Sequence, residues 1–576
     1  MIGFFREEGL MNKKAVLQHL LVILFFVVIA GLSVVPYWHR GTIYGQGDLL
    51  FHLNRLAGLT QGVQAHEIPY RYFNVLTNIG SASNFFYPFV YTLGWSGLFA
   101  VMHNPIHAFY LGEAIVMFVT LIVAYLAMNQ YQSQRMRSII FALLYGFASY
   151  RTYLAYDQFV FGEMLAFAFL PLAFVGLYNV FLGDARKWRA LAAGLTLILY
   201  AHMLSTVLTL TLFVIIVVLL VVTRRLHLEK VRVLNFVKAV VMTVVMTAVI
   251  YLPFLYQNRQ TTIITTVQGP ISKMYDLGQS LVYSLNGLNQ NIGLVGVLAI
   301  VIGAVQLWRR RFSRELAIWG LGVVLFIMAS SIFPWRALSE NVQALVQFPF
   351  RLLGLSSLFL LVYLSGELVR VFALPKQQAL TTLVVLLFSA GSYLAFTENL
   401  IYTRQHQQPL VTNQRFEATT ALFETSFTAT DKQLAALNKP GARHDYIGML
   451  DYAPKNAWPV ENYYSFLAHQ TFLGNQQIKA KATYRLTSAT FKVDAPQSGQ
   501  LNVPILMYGN ERVMLDGHRV TAKQTKRGSI GVHVTAGEHR LTVSYTTPKW
   551  IYQVWLLSAI GWVILFVTSW HRRKAK

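Results

Sequence analysis

The feature that most limits what this chain can become is a succession of apolar stretches, most of them near the length of a membrane-crossing helix. About 20 apolar residues cover the hydrocarbon core of a bilayer. Such stretches run roughly over 15–35, 105–128, 138–150, 164–182, 190–202, 205–222, 234–253, 292–307, 316–332, 352–369, 381–396 and 551–570, with 138–150 the shortest. They predict a polytopic α-helical membrane protein with about twelve transmembrane helices. Composition agrees. Of the 576 residues 55% are hydrophobic and 12% charged, about half the charged share of a soluble domain. Lys13 and Lys14 precede the first stretch and no small-x-small site follows it, so it reads as a retained helix and not a signal peptide.

The formal net charge is +24, from 48 Lys and Arg against 24 Asp and Glu. Nucleic acid is not the expected partner, because the basic residues form short clusters between apolar runs. If 85–101 is juxtamembrane or re-entrant, the clusters at 135–137, 186–189, 224–232, 309–311 and 572–574 all fall on the cytoplasmic side, as do both termini. There is no cysteine, which excludes disulfides, thiolate metal sites and cysteine nucleophiles. A large exported portion without cysteine fits a bacterial cytoplasmic membrane.

Three regions are then expected outside. One is a loop over 36–104 within a transmembrane domain spanning 1–396. The second is a short loop over 151–163. The third is 397–549, a mixed and then β-rich extracytoplasmic domain, followed by a last helix and basic tail over 550–576. Ala489, Phe491 and Val493 alternate with polar residues, and Val513 and Leu515 precede the hairpin pair Asp516-Gly517. Val532, Val534, Leu541, Val543 and Tyr545 continue the alternation, so a sandwich is expected.

Polar groups beside a membrane are costly and therefore informative. In a helix Asp48, His52 and Arg55 share one face, with Leu49, Leu53 and Leu56 beside it. That pattern predicts an amphipathic helix lying at the interface. One reading is a carboxylate held beside a basic pair at the mouth of a membrane cavity. The plainer one, slightly favoured by spacing alone, is an N-cap aspartate with helix-surface partners. The aromatics Phe85, Phe86, Tyr87, Phe89, Tyr91 and Trp95 read as an interfacial belt, with an isoprenoid groove as the lesser alternative. In the second loop Asp157 and Glu163 are candidates for a divalent cation, or Glu163 complements a helix N-terminus. His202 stands at an outer helix end, and Arg351 opens a helix at the outer face. A guidinium there suits a lipid phosphate, with snorkelling to headgroups as the alternative. There is no P-loop, no GxGxxG in a βαβ setting and no GxSxG elbow. Ionisable residues deep in the membrane and repeat symmetry, the marks of a transporter, are not evident.

Gly47-Asp48 with Phe51-His52-Leu-Asn-Arg55, then Phe86-Tyr87-Pro88, Tyr150-Arg151, Gly162-Glu163, Leu170-Pro171-Leu172 and Ala201-His202 with Ser205 follow in order. This arrangement, over about the first 220 residues, resembles the GT-C glycosyltransferase superfamily. More closely it resembles bacterial membrane proteins called 6-pyruvoyl-tetrahydropterin-synthase-related, a label that carries no pterin chemistry here. The resemblance implies transfer of a sugar from an undecaprenyl-phosphate donor to an envelope glycan such as a teichoic acid or surface polysaccharide. It maps the essential first-loop acid onto Asp48, as general base or positioner of the acceptor hydroxyl. His52 and Arg55 belong to the same motif and join Asp48 as candidate catalytic residues. Arg151, Arg351 and His202 are the candidates for binding lipid phosphate. Asp157 and Glu163 occupy the region where some members bind metal, without a clean Asp-x-Asp pair. A flippase for lipid-linked glycans and a non-catalytic envelope-assembly protein are the alternatives from other classes.

Overall fold

The computed structural model describes residues 13–226, 229–263, 274–310, 313–407, 409, 426–437 and 451–574. Among them, eight helices are long and apolar enough to cross a membrane by length and composition: Val16–Trp38, Pro105–Tyr131, Phe161–Phe181, Met203–Val222, Lys230–Asn258, Pro349–Val371, Pro375–Arg404 and Lys549–Thr568. The other four predicted segments are also helical, as Arg135–Gly146, Arg189–Ala201, Gly293–Trp308 and Arg314–Met328. They are shorter. The 12 residues of Arg135–Gly146 rise only about 18 Å at 1.5 Å per residue. Val90–Val101 is equally short, also at 12 residues, so it does not reach across a hydrocarbon core of about 30 Å.

The helices are not equivalent. In Phe161–Phe181 and Pro349–Val371, 83% of the apolar window is buried inside the protein, against 22% in Met203–Val222 and Pro375–Arg404. The first two are the central posts of the bundle. Small residues let a neighbour approach the first post closely. A Cβ on Gly176 would lie 2.2 Å from the Leu191 nitrogen, and one on Gly194 would lie 2.5 Å from that of Ala173. Pro171 removes a helical N–H, freeing the carbonyl four residues back. The Tyr145 hydroxyl donates to that Phe167 carbonyl at 2.7 Å, so the break carries no unsatisfied acceptor.

Phe161–Phe181, Met203–Val222 and the helix starting at Leu352 all begin at one end of the bundle. There Gly162 lies against Ala201 and His202, and Arg351 pairs with Glu163. The clusters at 186–189 and 224–232 follow the far ends of these helices and therefore sit at the opposite end. Arg311 of the 309–311 cluster lies outside the described residues.

A β-sandwich sits on the first end. Strands β1 (Thr42–Gly45) and β2 (Phe427–Thr430) form a separate antiparallel pair. The sandwich comprises β3 (Thr471–Leu473), β4 (Gln476–Ile478), β5 (Ala480–Arg485), β6 (Ser488–Ala495), β7 (Gly499–Leu506), β8 (Arg512–Leu515), β9 (His518–Arg519), β10 (Lys523–Gln524), β11 (Ser529–Val534) and β12 (Gly537–Ser544). Its two sheets run β10-β11-β7-β3-β4 and β5-β6-β12-β8-β9. The predicted alternation holds: Ala489, Phe491, Val493, Val532, Val534, Leu541 and Val543 are all buried. Asp516 and Gly517 take φ of 51° and 87° and turn β8 into β9, as a two-residue hairpin requires. The strands flanking Ala536-Gly537 belong to different sheets, since β11 pairs with β7 and β12 with β6 and β8.

Two expectations about the first loop need correction. The helix Leu49–Gln64 does not lie at an interface. Phe51, His52, Asn54, Arg55, Leu59 and Thr60, which point in all directions around it, are buried. Two of its polar side chains find partners in the chain that follows, so neither needs a wet face: Asn54 Oδ1 accepts from the Leu76 amide at 3.2 Å, and Arg55 donates to the Tyr87 and Pro88 carbonyls. Nor are the aromatics a lipid-facing belt. Phe86 packs on Phe254 and Tyr452, Phe85 on Tyr256 and Tyr545, and Phe89 on Trp555. They join the bundle to the sandwich, whose apolar core is continuous with Tyr70, Tyr72, Phe73, Val75, Phe85 and Phe86 of this loop. Backbone bonds complete the union, with Phe73 donating to Leu486 O at 2.9 Å and Leu506 to Ile79 O at 2.8 Å.

The helix Pro375–Arg404 continues beyond residue 396, and β2 returns to pair with β1 of the first loop. The start of the region 397–549 thus belongs structurally to the bundle. Residues 410–425 and 438–450 of that region lie outside those described.

Candidate functional site

Asp48 is the N-cap of Leu49–Gln64, yet its side chain makes no capping bond. What places it is the backbone. Gly47 has φ +57°, and a Cβ there would fall 2.5 Å from Gln158 O; the Asp48 amide donates to that same carbonyl at 3.0 Å. Only glycine permits this approach. The Gly47-Asp48 motif is in this way pressed onto the second loop. Asp48 itself stays partly exposed.

One turn on, His52 and Arg55 are fully buried. The His52 ring stacks on Phe161 at 4.5 Å and meets Tyr87 edge-on at 5.5 Å, and neither ring nitrogen has a hydrogen-bond partner. Burial first, then the nearby Arg55 and His202, hold its pKa well below the ordinary 6.5. Arg55 donates to Asn84 Oδ1 at 3.2–3.3 Å and to the Tyr87 and Pro88 carbonyls at 3.2 and 3.1 Å. Its guanidinium lies 4.6 Å over the Tyr87 ring, while Nη1 has no partner.

Tyr87 is the hub. Its hydroxyl accepts from the Gly162 amide at 3.2 Å, and a Cβ on Gly162 would lie 2.3 Å from that oxygen. Its ring is 5.9 Å from His202 and 6.3 Å from Tyr452. Burial raises its pKa, and Arg55, Asp48 and Arg351 all act on it electrostatically. Arg55 and Asp48 act likewise on Tyr452. Residues 48, 55, 87, 162, 202, 351 and 452 therefore converge, although they come from six separate stretches of chain. Asp48, Tyr87, Arg351 and Tyr452 remain partly exposed.

Arg351 is held by Glu163 at 3.3 Å and by Gln347 Oε1 at 2.6 Å, and Glu163 also accepts from the Tyr150 hydroxyl at 2.6 Å. Both ends of this pair sit at the starts of the two central helices. Gln347 has φ 60° and ψ −59° and forms a three-residue turn closed by Phe348 N to Val346 O at 2.7 Å. That conformation is rare and strained for a non-glycine residue, and strain of this kind concentrates at functional sites. His202 caps Met203–Val222 by accepting from the Ser205 amide at 3.3 Å.

Two sequence-predicted groupings do not assemble. Asp157 pairs with Arg404, which also reaches the Tyr44 and Tyr156 carbonyls at 3.3 Å. Glu163 pairs with Arg351. Each carboxylate is neutralised by a different arginine, so the two do not fit a shared cation, and no cluster of three His, Asp or Glu suited to a metal occurs among the described residues. Arg151 does not join Arg351. It is buried among Glu113, Tyr156 and Tyr393, with Nε and Nη2 unpartnered, as are both Glu113 carboxylate oxygens.

Sequence reasoning passes over Glu113, Arg404 and Tyr452. A lone acid inside an apolar stretch is a usable signal for Glu113. An arginine in the last turn of a helix is too common to single out Arg404, and no local pattern marks Tyr452. No family model matches the chain, and no curated protein matches it.

The buried neutral His52 has a measurable consequence. Unfolding frees it to bind a proton below pH 6.5, so the unfolded state binds more protons there and stability is lost as the pH falls below that value. The loss is at most about 1.4 kcal/mol per pH unit for one such group. His52→Phe keeps the stack on Phe161 and is expected to flatten this slope between pH 6.5 and 5.5 in thermal unfolding of the detergent-solubilised protein. An unchanged slope would mean that other groups set it.

Proposed function

We propose that the protein is a membrane glycosyltransferase. It moves a sugar from a polyprenyl-phosphate donor to a cell-envelope glycan, on the outer face of a bacterial cytoplasmic membrane. The observation that carries this reading is the convergence of the partly exposed Asp48 with Tyr87, Tyr452 and Arg351, at the end of the bundle opposite the basic clusters at 186–189 and 224–232. By the positive-inside rule that end faces outward.

The Asp48 carboxylate takes the proton of the acceptor hydroxyl. The acceptor oxygen then bonds to the anomeric carbon as the bond from that carbon to the phosphate oxygen breaks. Charge grows on the departing polyprenyl phosphate, where Arg351, oriented by Glu163 and the Gln347 turn, stabilises it. His52 and Arg55 are fully buried and act as positioning residues: Arg55 holds Tyr87 and Asn84, and His52 packs between Phe161 and Tyr87. Arg151 belongs to a separate cluster, and no step is routed through a metal. The sandwich and Tyr452 border the site on the side where an acceptor glycan would enter.

The test is transfer by purified protein in liposomes, given a panel of undecaprenyl-phosphate sugars and isolated cell envelope, with the acceptor read by mass spectrometry. Sugar-modified glycan and released undecaprenyl phosphate are expected in equal amounts.

One observation favours a second reading, a flippase for lipid-linked glycans. Glu113 and Arg151 are ionisable groups buried within the bundle with unpartnered polar atoms, as transport pathways often have. Movement of a fluorescent lipid-linked sugar between leaflets without transfer, lost in Glu113→Gln, would replace the enzyme reading.

A further inference from the structure

At the end of the bundle opposite the site, a groove of about 490 Å³ lies among the helices Pro105–Tyr131, Arg135–Gly146, Phe161–Phe181, Met203–Val222, Arg314–Met328 and Leu352–Val371. Its volume is in the range of a ligand site. Met128, Phe141, Phe174, Ile216, Leu321 and Phe359 are typical of its wall, and its polar side chains are Tyr131, Tyr178, Arg225 and Arg314. These four sit together at the basic end. Tyr131 closes its helix, Tyr178 lies in the last turn of Phe161–Phe181, Arg314 opens the next helix and Arg225 follows Val222. From Leu182 to Pro171 the lining covers about 16 Å of helix, roughly the depth of one leaflet.

We infer that this groove binds a single anionic phospholipid of the leaflet at the basic end. Its phosphate would lie between Arg225 and Arg314, with one acyl chain along the apolar wall. Charge complementarity identifies the occupant. The Arg314 guanidinium is clamped 4.5 Å over the Tyr178 ring and 5.4 Å over that of Tyr131, which orients its donors. The nearby Glu315 is engaged elsewhere, bonded to Arg137 at 2.9 Å and accepting from Tyr131 at 3.3 Å. Among the described residues neither Arg225 nor Arg314 forms an ion pair. Two arginines without an ion pair among the described residues, at the mouth of an apolar slot, match a phosphodiester carried on a hydrocarbon chain. The assignment does not depend on the glycosyltransferase reading, because the groove is at the other end of the bundle.

The test is competition on the full-length protein. Delipidated protein in detergent is given equal amounts of dioleoyl phosphatidylglycerol and dioleoyl phosphatidylcholine, and retained lipid is counted by native mass spectrometry. Wild type is expected to favour phosphatidylglycerol by about tenfold, because the choline cation of phosphatidylcholine offsets the phosphate charge that the two arginines meet. Arg225→Gln with Arg314→Gln should bring the ratio near unity. Ala317→Trp, which fills the wall, should release both lipids, and if that variant does not fold the arginine pair still decides. Soluble glycerol phosphate should not displace the lipid. Equal retention of both lipids by wild type overturns the inference, as does a preference that survives loss of both arginines. Full displacement by glycerol phosphate would do so too, by assigning the arginines to a free phosphate.

Discussion

Asp48→Asn is expected to lower sugar transfer by about 10²- to 10⁴-fold, the usual worth of a positioned general base, while leaving the fold intact. The amide keeps the shape of the carboxylate but cannot take a proton from the acceptor hydroxyl. Nothing in the local architecture depends on the charge as a cap, because the Asp48 side chain makes no capping bond to its helix. The turn is held by Gly47 and by the Asp48 amide on Gln158 O, and these survive the change. Turnover with saturating donor and acceptor, compared with thermal unfolding of the same preparation, separates chemistry from folding. Transfer equal to wild type from a folded Asp48→Asn protein would remove Asp48 from the mechanism.

The second large effect concerns the joint between the first loop and the sandwich. Arg71 and Glu511 form an ion pair whose side chains are 0% and 2% exposed. Arg71 also donates to the Gly80 and Leu506 carbonyls at 2.8 and 2.6 Å, and Glu511 accepts from the Tyr508 and Gly509 amides at 2.5 and 2.9 Å. Arg71→Ala strands a buried carboxylate and two carbonyls. The expected cost is about 3–5 kcal/mol, the usual effect of breaking one side of a buried pair. Adding Glu511→Gln removes the stranded charge, so the double variant should be destabilised by less than the sum of the two single changes. Denaturant unfolding of the full chain in detergent measures all three. A cost for Arg71→Ala below about 1 kcal/mol would show that the joint relaxes around the lost cation. The same substitution should reduce transfer, because the segment Arg71 anchors leads directly to Asn84 and Tyr87.

Much of the architecture is legible in local pattern. Membrane-length apolar stretches become helices because a helix satisfies its own backbone without water. Strand alternation at 489–493 and 532–545 comes true because a side chain's face is set by its position in the strand. Asp516-Gly517 turns as read because its geometry needs two positive φ values. Each of these outcomes depends on residues a few positions apart.

The helix Leu49–Gln64 shows where that reach ends. Its charged and apolar residues have the spacing of an interfacial helix, but the residues that satisfy Arg55 lie about thirty positions further on, at Asn84, Tyr87 and Pro88. Once those acceptors replace water, most of the helix can be buried. The site follows the same rule. Asp157 and Glu163 are neighbours in the chain, yet Arg404 and Arg351 draw them apart. Asp48 and Tyr452 are some four hundred residues apart, yet Tyr452 packs by Tyr87 and Asp48 acts electrostatically on both. By itself the sequence determined which segments are helix or strand and which residue types are available for chemistry. Only the tertiary structure decided which of them meet, because an ion pair or a hydrogen bond depends on distance in space, and periodicity along the chain carries no information about that distance between remote segments.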